Sequence, residues 1–432
     1  MVLEMVKILL LVTVGVILAV LFLRIFGRER VRVGSRQFDL VKTIRSGGEH
    51  FTKKHGFQTL AWGVGVILLT YGISLLYCGI FGKGVTLDNF INAWKKYDSY
   101  HYVGLAELGY NGYTENGKHY FLVFLPLYPW LIRLFHLVIP NYALSGLLVS
   151  CLCYLGSLFV MGRLVTEEFG SKAGKLSLFF LSAYPFAFFF MSLHTESLFL
   201  LLSLLSFYFI RKHKYPLAGL IGALAALTRV QGVFLAPVAL IEYCMSEHPI
   251  RKIRGHDWKG LWKDLWGKLF WMAFIGTGTL IYLYINYRID GNPFAFLGHQ
   301  QERWYQGSRL FTESLHSLWR VMLNPGEGKV YISFTTWGPQ IVMFFFCLAF
   351  LIYSVRRLPP VWTVYFIVCL FLNISLKNPL SLCRYIACAF PLPVALAIWS
   401  ERRPFAGKFL MYIYGVLQGV YMLAYFSGLH VC

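Results

Sequence analysis

Charge is scarce in this chain: Asp, Glu, Lys and Arg together make up 14% of its 432 residues, and only 20 residues are acidic. Hydrophobic residues reach 57%, aromatics 18% and mean hydropathy +0.58, which leaves too little polar surface for a water-soluble domain of this size. Also missing are a phosphate-binding glycine loop, a Gly-x-Ser-x-Gly elbow and a His-Glu-x-x-His pair, so nucleotide hydrolysis, serine hydrolysis and zinc proteolysis lose their usual signatures. The nine cysteines show neither paired zinc spacing nor a compact disulfide framework, and most sit inside apolar tracts, where they read as small core residues. The formal charge of +20 is not gathered on one helix or patch, which argues against nucleic acid as a partner.

What is present is a succession of long apolar runs, at 8–26, 60–81, 143–161, 176–191, 270–287, 331–353, 361–376, 386–399 and 409–426. Runs of this kind predict an all-α polytopic membrane protein, and with the shorter tracts between them the expected count is about 12 transmembrane helices. The first run is expected to be a retained helix and not a cleaved leader, because no small-x-small site follows it and the next segment, F-G-R-E-R-V-R-V-G-S-R-Q, is basic. Residues 1–57 form an extra N-terminal helix and basic loop in this reading, and 58–432 the main membrane domain.

Lys and Arg should be richer in short cytoplasmic loops. Placing 28–57, 163–175, 211–215, 246–268, 354–360 and 401–408 inside accounts for 25 of the 40, leaves 12 for the opposite set of loops, and puts both termini outside. That parity has two consequences. The tract at 121–140, which contains Pro126, Pro129, Arg133 and His136, is expected to be a re-entrant or interfacial helix in the first large outer loop. The apolar stretch after Pro216 is expected to split into two short helices, 216–228 and 230–245, with Arg229 at the reversal. The preceding short pair, 176–191 and 197–210, should likewise turn at His-Thr-Glu-Ser, 194–197.

On this map Asp98, Glu107, His194, Glu196, Arg229, Asp290, Gln300, Glu302, Trp304, Lys377 and Arg384 share the non-cytoplasmic side. Carboxylates beside cations at a membrane border suit a hydroxyl nucleophile and a phosphate leaving group. Partial burial among Tyr97, Tyr100 and Tyr102 is expected to raise the Asp98 pKa; the plainer reading is a solvated loop acid or helix N-cap. Arg229 at membrane depth needs an anion, either a substrate phosphate or an interhelical partner such as Glu196. His194 and Glu196 lack further ligands nearby, so no metal site is expected. The cytoplasmic loops are too short for a nucleotide-binding domain, which points to a lipid-linked donor.

The motifs W-K-K-Y-D-S-Y-H-Y with A-E-L-G-Y, F-L-P-L-Y-P at 124–129, H-T-E-S at 194–197, A-L-T-R-V-Q-G at 226–232, D-G-N-P-F-A-F from 290 with Gln300 and Trp304 following, and R-Y-I-A-C-A-F-P-L at 384–392 occur in this order. Together they resemble the PIG-V-like glycosyltransferases of the GT-C superfamily, the GPI mannosyltransferase 2 type and its bacterial relatives, over about 85–400. The resemblance implies a GT-C-like fold and an inverting, metal-independent mannosyltransferase without a cofactor. Its donor would be polyprenyl-phosphate mannose, and its acceptor a lipid or glycolipid hydroxyl on the non-cytoplasmic face. It implies Asp98 as the catalytic base; from their own chemistry and placement, Arg229 and Arg384 are expected as donor-phosphate ligands, and His194, Glu196, Gln300 and Trp304 as substrate contacts. The family pairs Trp and Asp more closely than Trp94 and Asp98 here, which loosens the match at Trp94. The implied location is the plasma membrane, multi-pass, in a bacterium, or the endoplasmic reticulum in a eukaryote. The competing expectation is a secondary transporter of about 12 helices, although no related halves are visible.

Overall fold

The computed structural model describes residues 2–26, 30–33, 36–39, 48–82, 84–326 and 329–431. It is a helical membrane architecture, as composition requires. Among the described residues, five helices are long and apolar enough to cross a membrane alone: Met5–Ile25, Lys53–Ile80, Tyr142–Phe169, Val330–Ser354 and Pro404–Phe426. Trp258–Phe274 and Thr277–Asp290, bent by 43° at their junction, make a sixth when taken together. The remaining apolar tracts form shorter helices, including Ser171–Ser182, Glu196–Arg211, Tyr215–Thr228, Leu235–Glu247, Pro360–Ile374 and Pro391–Arg402. The count of about 12 therefore mixes full-length spans with helices well under the ~20 residues a hydrocarbon core demands.

Helix boundaries follow local chemistry. Thr52 and His55 form a reciprocal capping box at the start of Lys53–Ile80, and Asn141 Oδ1 accepts from Leu144 N at 3.0 Å to start Tyr142–Phe169. Gly170, at φ 94°, breaks the chain between Tyr142–Phe169 and Ser171–Ser182, a conformation that favours glycine. Prolines occupy the first positions of Pro360–Ile374, Pro391–Arg402 and Pro404–Phe426, where a missing N–H costs nothing.

The tract at 121–140 does not span. It gives a short turn, Tyr120–Val123, and the helix Leu127–His136, whose ten residues cover only ~15 Å. One face of that helix buries Tyr128 and Ile132 while Trp130 and Leu134 stay exposed. Arg133 fixes it by donating to Ala106 O at 2.7 Å and Glu107 O at 3.3 Å. The pair around Arg229 appears as expected, but the preceding pair departs from 176–191 and 197–210: its first helix is Ser171–Ser182, and a short turn at Ala187–Met191 leads through 192–195 into Glu196–Arg211.

One departure from an all-helical reading lies in the basic loop. Arg30–Val33 and Arg36–Asp39 pair as antiparallel strands, with Val33 opposite Arg36. The alternation R-V-R-V has the two-residue period of a strand, a signal that the charge count passes over.

Polar groups concentrate at the two ends of the bundle. At one end Arg211 bonds Glu168 at 2.7 Å and Glu242 at 2.7 Å, and Trp362 Nε1 donates to Glu168 at 2.9 Å. Arg24 reaches the same end, donating to Leu358 O at 2.9 Å and to Val355 O. The loops assigned to one side by the charge count thus do meet. Four of the sequence-derived candidates, Asp98, Glu196, Arg229 and Arg384, meet at the other end.

Candidate active site

Asp98 lies between two helices, Leu87–Trp94 and Ser99–Gly112. Trp94, the last residue of the first, is fully buried; its Nε1 donates to Ser74 Oγ at 3.1 Å and its ring meets Tyr71 and Phe426. It packs the segment in place and does not face the site. Tyr97 adopts φ 51°, strained for a tyrosine, and this turn re-aims the chain so that Asp98 points away from Trp94. The Tyr97 hydroxyl donates to Leu429 O and its ring packs on Tyr425, which holds the turn.

Asp98 occupies the N-cap position of Ser99–Gly112, yet its side chain makes no capping bond. The carboxylate instead accepts from Arg384 Nη2 at 2.8 Å. Arg384 stands on the short helix Leu382–Ile386, which is held by Tyr184 Oη donating to Cys383 O at 2.7 Å and by Cys383 N donating to Gln340 Oε1 at 3.1 Å. Its Nε lies 3.0 Å from Glu196 Oε1, an ion pair without hydrogen-bond alignment. Glu196 Oε1 also accepts from Arg229 Nη1 at 2.9 Å, and Arg229 stacks over Tyr385 at 4.2 Å.

The result is a chain of alternating charge, Asp98, Arg384, Glu196, Arg229, drawn from four separate segments. Glu196 and Arg384 are almost fully buried, whereas Asp98 keeps 29% of its side chain exposed and is the member open to solvent. Formal charge within the chain cancels, which is the condition for burying ions at modest cost.

His194 lies beside this chain, 1% exposed, with Nδ1 2.8 Å from Ser192 Oγ. Its Nε2 has no partner among the described residues, and neither do Glu196 Oε2 and Ser197 Oγ. Three orphaned buried polar atoms beside one ion-pair chain are costly, at about 1–3 kcal/mol each, unless something polar enters.

The Asp98 pKa corrects the sequence expectation. Burial pushes the carboxyl up, but the adjacent Arg384 guanidinium, aided by His194 and His101, holds it below its ordinary value. The tyrosines are adjacent in the sequence; that Arg384, 286 positions away, packs against Asp98 is not visible there.

The remaining candidates form a flank. Trp304 ends the helix Ala295–Trp304 and meets Phe124 at 5.8 Å and His101 at 6.4 Å, so it joins the aromatic wall on the Asp98 helix. Gln300 lies on the same helix, without a side-chain bond to the ion-pair chain among the described residues. Glu107 is exposed, as is Lys377. Glu302 takes Tyr120 Oη at 2.7 Å and Asp290 pairs with His299 at 2.7 Å, both away from the chain. Sequence reasoning missed Ser192 and Gln340, and it noted Tyr385 beside Arg384 without giving it a role.

Residues 125–275, which include His194, Glu196 and Arg229, match the family model described as dolichyl-phosphate-mannose-protein mannosyltransferase. No curated protein matches the chain. Among solved structures it is similar to ArnT from Cupriavidus metallidurans bound to undecaprenyl phosphate, at 15% identity over 85% of this chain and 77% of that one, with a TM-score of 0.42. It is also similar to the Archaeoglobus fulgidus oligosaccharyltransferase in the apo form, at 13% identity over 88% of this chain and 57% of that one, TM-score 0.46. A third similarity is to that archaeal enzyme complexed with zinc and sulfate, at 12% identity over 86% and 53% of the two chains, TM-score 0.44. The chain spans little more than half the length of the archaeal enzyme, and scores of this size carry no argument about chemistry.

Proposed function

We propose that this chain is a multi-pass membrane glycosyltransferase of GT-C type. It moves a hexose from a polyprenyl-phosphate donor to a lipid or glycolipid hydroxyl, and mannose is the sugar that the family match at 125–275 favours. The domain at 58–432 carries the transfer and 1–57 is an addition to it. In a bacterium the membrane is the plasma membrane.

The observation that carries this reading is the Asp98–Arg384–Glu196–Arg229 chain with its orphaned neighbours. A carboxylate bonded to the buried Arg384 guanidinium, with the Arg229 guanidinium linked to it through Glu196, has both halves of what a displacement at a sugar phosphate needs. Asp98 takes the proton of the acceptor hydroxyl as its oxygen bonds to the anomeric carbon. The bond from that carbon to phosphate oxygen breaks from the opposite face, so configuration inverts. The leaving polyprenyl phosphate keeps the electron pair, and Arg384 and Arg229 stabilise the charge that develops on it. His194 and Glu196 offer free polar atoms to sugar hydroxyls, with Gln300 and Trp304 on the acceptor side.

The test incubates membranes with labelled polyprenyl-phosphate mannose and compares wild type with Asp98→Asn. Transfer should fall by about 10²–10⁴, the usual scale for a lost general base. Undiminished transfer by the variant removes Asp98 from the mechanism, and no transfer by wild type turns the reading toward a carrier.

A further inference from the structure

The segment from Pro249 to Phe274, at the end of the bundle opposite the site, has an internal charge arrangement the transfer reaction does not use. Its acids are all occupied. Asp264 is bonded by Lys252 at 2.6 Å and Lys268 at 2.8 Å, and Glu247 by the same two lysines at 2.9 and 2.7 Å. Asp257 caps the next helix by accepting from Gly260 N at 2.9 Å. Four exposed cations, Arg251, Arg254, Lys259 and Lys263, have no ion-pair partner among the described residues.

An aromatic stripe runs beside them. Trp258, Trp262 and Trp266 are 61%, 64% and 56% exposed, and consecutive rings from Trp262 through Trp266 to Phe270 are 6.0 and 6.1 Å apart. Four-residue spacing places them on one helix face.

Length fixes the depth of this stripe. From Trp258 to Asp290 the broken helix pair, bent by 43°, reaches roughly 43 Å end to end at ~1.5 Å per residue, against ~30 Å of hydrocarbon core. Its far end is tied at the site side, where Tyr282 Oη donates to Leu122 O at 2.7 Å and Phe296 N donates to Asn286 Oδ1 at 3.1 Å. The excess therefore emerges at the other face, and it is the tryptophan stripe that emerges. Tryptophan belongs at headgroup level, where the ring is half in apolar surroundings and half wet. Unpaired cations at the same level face lipid phosphates.

We propose that residues 249–270 form a binding surface for anionic phospholipid headgroups on the face opposite the ion-pair chain. Arg251, Arg254, Lys259 and Lys263 supply the charge, and the tryptophans set the depth. The Lys252–Asp264–Lys268–Glu247 cluster is the clamp that folds the arm back, so that its own acids do not neutralise those four.

The test uses the full-length protein in mild detergent and counts retained lipid by native mass spectrometry, with phosphatidylglycerol and phosphatidylcholine of equal chain length as probes. Wild type should retain phosphatidylglycerol preferentially, less so as salt rises. R251Q/R254Q/K259Q/K263Q should lower that retention by about tenfold or more, since each basic residue near a charged surface contributes on the order of a several-fold factor. The charge-preserving R251K/R254K/K259R/K263R should keep most of it, which separates charge from folding. Equal retention of both lipids by wild type overturns the proposal, as does a preference that survives in the glutamine variant. Loss of preference in a control with Lys53, Lys54 and Lys408 changed to Gln would place the surface elsewhere and also overturn it. Sugar transfer is not the readout, so this result stands apart from the proposed activity.

Discussion

Arg384 donates to Asp98 at 2.8 Å across 286 positions of sequence, and the same guanidinium lies 3.0 Å from Glu196. One cation therefore serves two carboxylates, and under the proposed function a substrate phosphate arriving at Arg384 would compete with both.

The pH dependence of transfer follows from that sharing. Arg384 holds Asp98 below its ordinary value of 3.8 against the opposing effect of burial. Arg384→Gln removes the pull and leaves the burial, so the Asp98 pKa rises and the acid limb of the rate profile moves to higher pH. In wild type the pairing's contribution to stability is present above about pH 4 and is lost as pH falls through the lowered folded value. Profiles of wild type and Arg384→Gln that superimpose on the acid side would show that Asp98 is not the group titrating.

Glu196→Gln should be costly to the fold as well as to transfer. It removes the carboxylate between two guanidiniums and leaves Arg229, whose side chain is 11% exposed, without its anion. Breaking a buried pair from one side typically costs about 3–5 kcal/mol. Thermal unfolding in detergent should show a large drop for Glu196→Gln, with part of it recovered when Arg229→Gln is added. Additive losses in the double variant would mean that the two residues do not interact energetically.

Trp94 should behave as a structural residue. Trp94→Phe loses the bond to Ser74, worth about 1 kcal/mol, and keeps most ring packing. Trp94→Ala empties a buried site at about 3–5 kcal/mol. Transfer per folded molecule should stay within a few-fold of wild type for Trp94→Phe, and a loss comparable to that of Asp98→Asn would return Trp94 to the site.

The helix that ends at Arg229 depends on close backbone approach. A Cβ at Gly278 would sit 1.9 Å from Ala223 O, and one at Gly219 2.3 Å from Trp271 O, so neither position can take a side chain without helix movement. Gly278→Ala should destabilise by about 1–3 kcal/mol and weaken donor binding through a displaced Arg229. An unchanged KM and melting temperature would show that the contact yields freely.

How much of this was legible varies with the range of the interaction. The reversal at Arg229 and the short, non-spanning helix after Pro126 are local or follow from charge parity, and sequence revealed both; the turn expected at His194 to Ser197 lies about two residues earlier, at 192–195. The pairing of Asp98 with Arg384 has no local trace: nothing in helix periodicity says which loop meets which across the bundle. Sequence reasoning therefore assigned the Asp98 pKa from its tyrosine neighbours and got the direction wrong. The opposite ionic layer was overlooked although acids are few. Glu167, Glu168, Glu242 and Glu247, at the ends of apolar helices, were the signal, since such acids need partners. The strand pair at 30–39 was hidden because only charge was counted there.

Helix Glu196–Arg211 ends in an ion pair on both sides, Glu196 with Arg229 and Arg211 with Glu168. Its sixteen residues measure ~24 Å, some 6 Å less than the hydrocarbon thickness of an ordinary bilayer. Under the proposed function a lipid phosphate would therefore have to pass below headgroup level to reach Arg384 and Arg229.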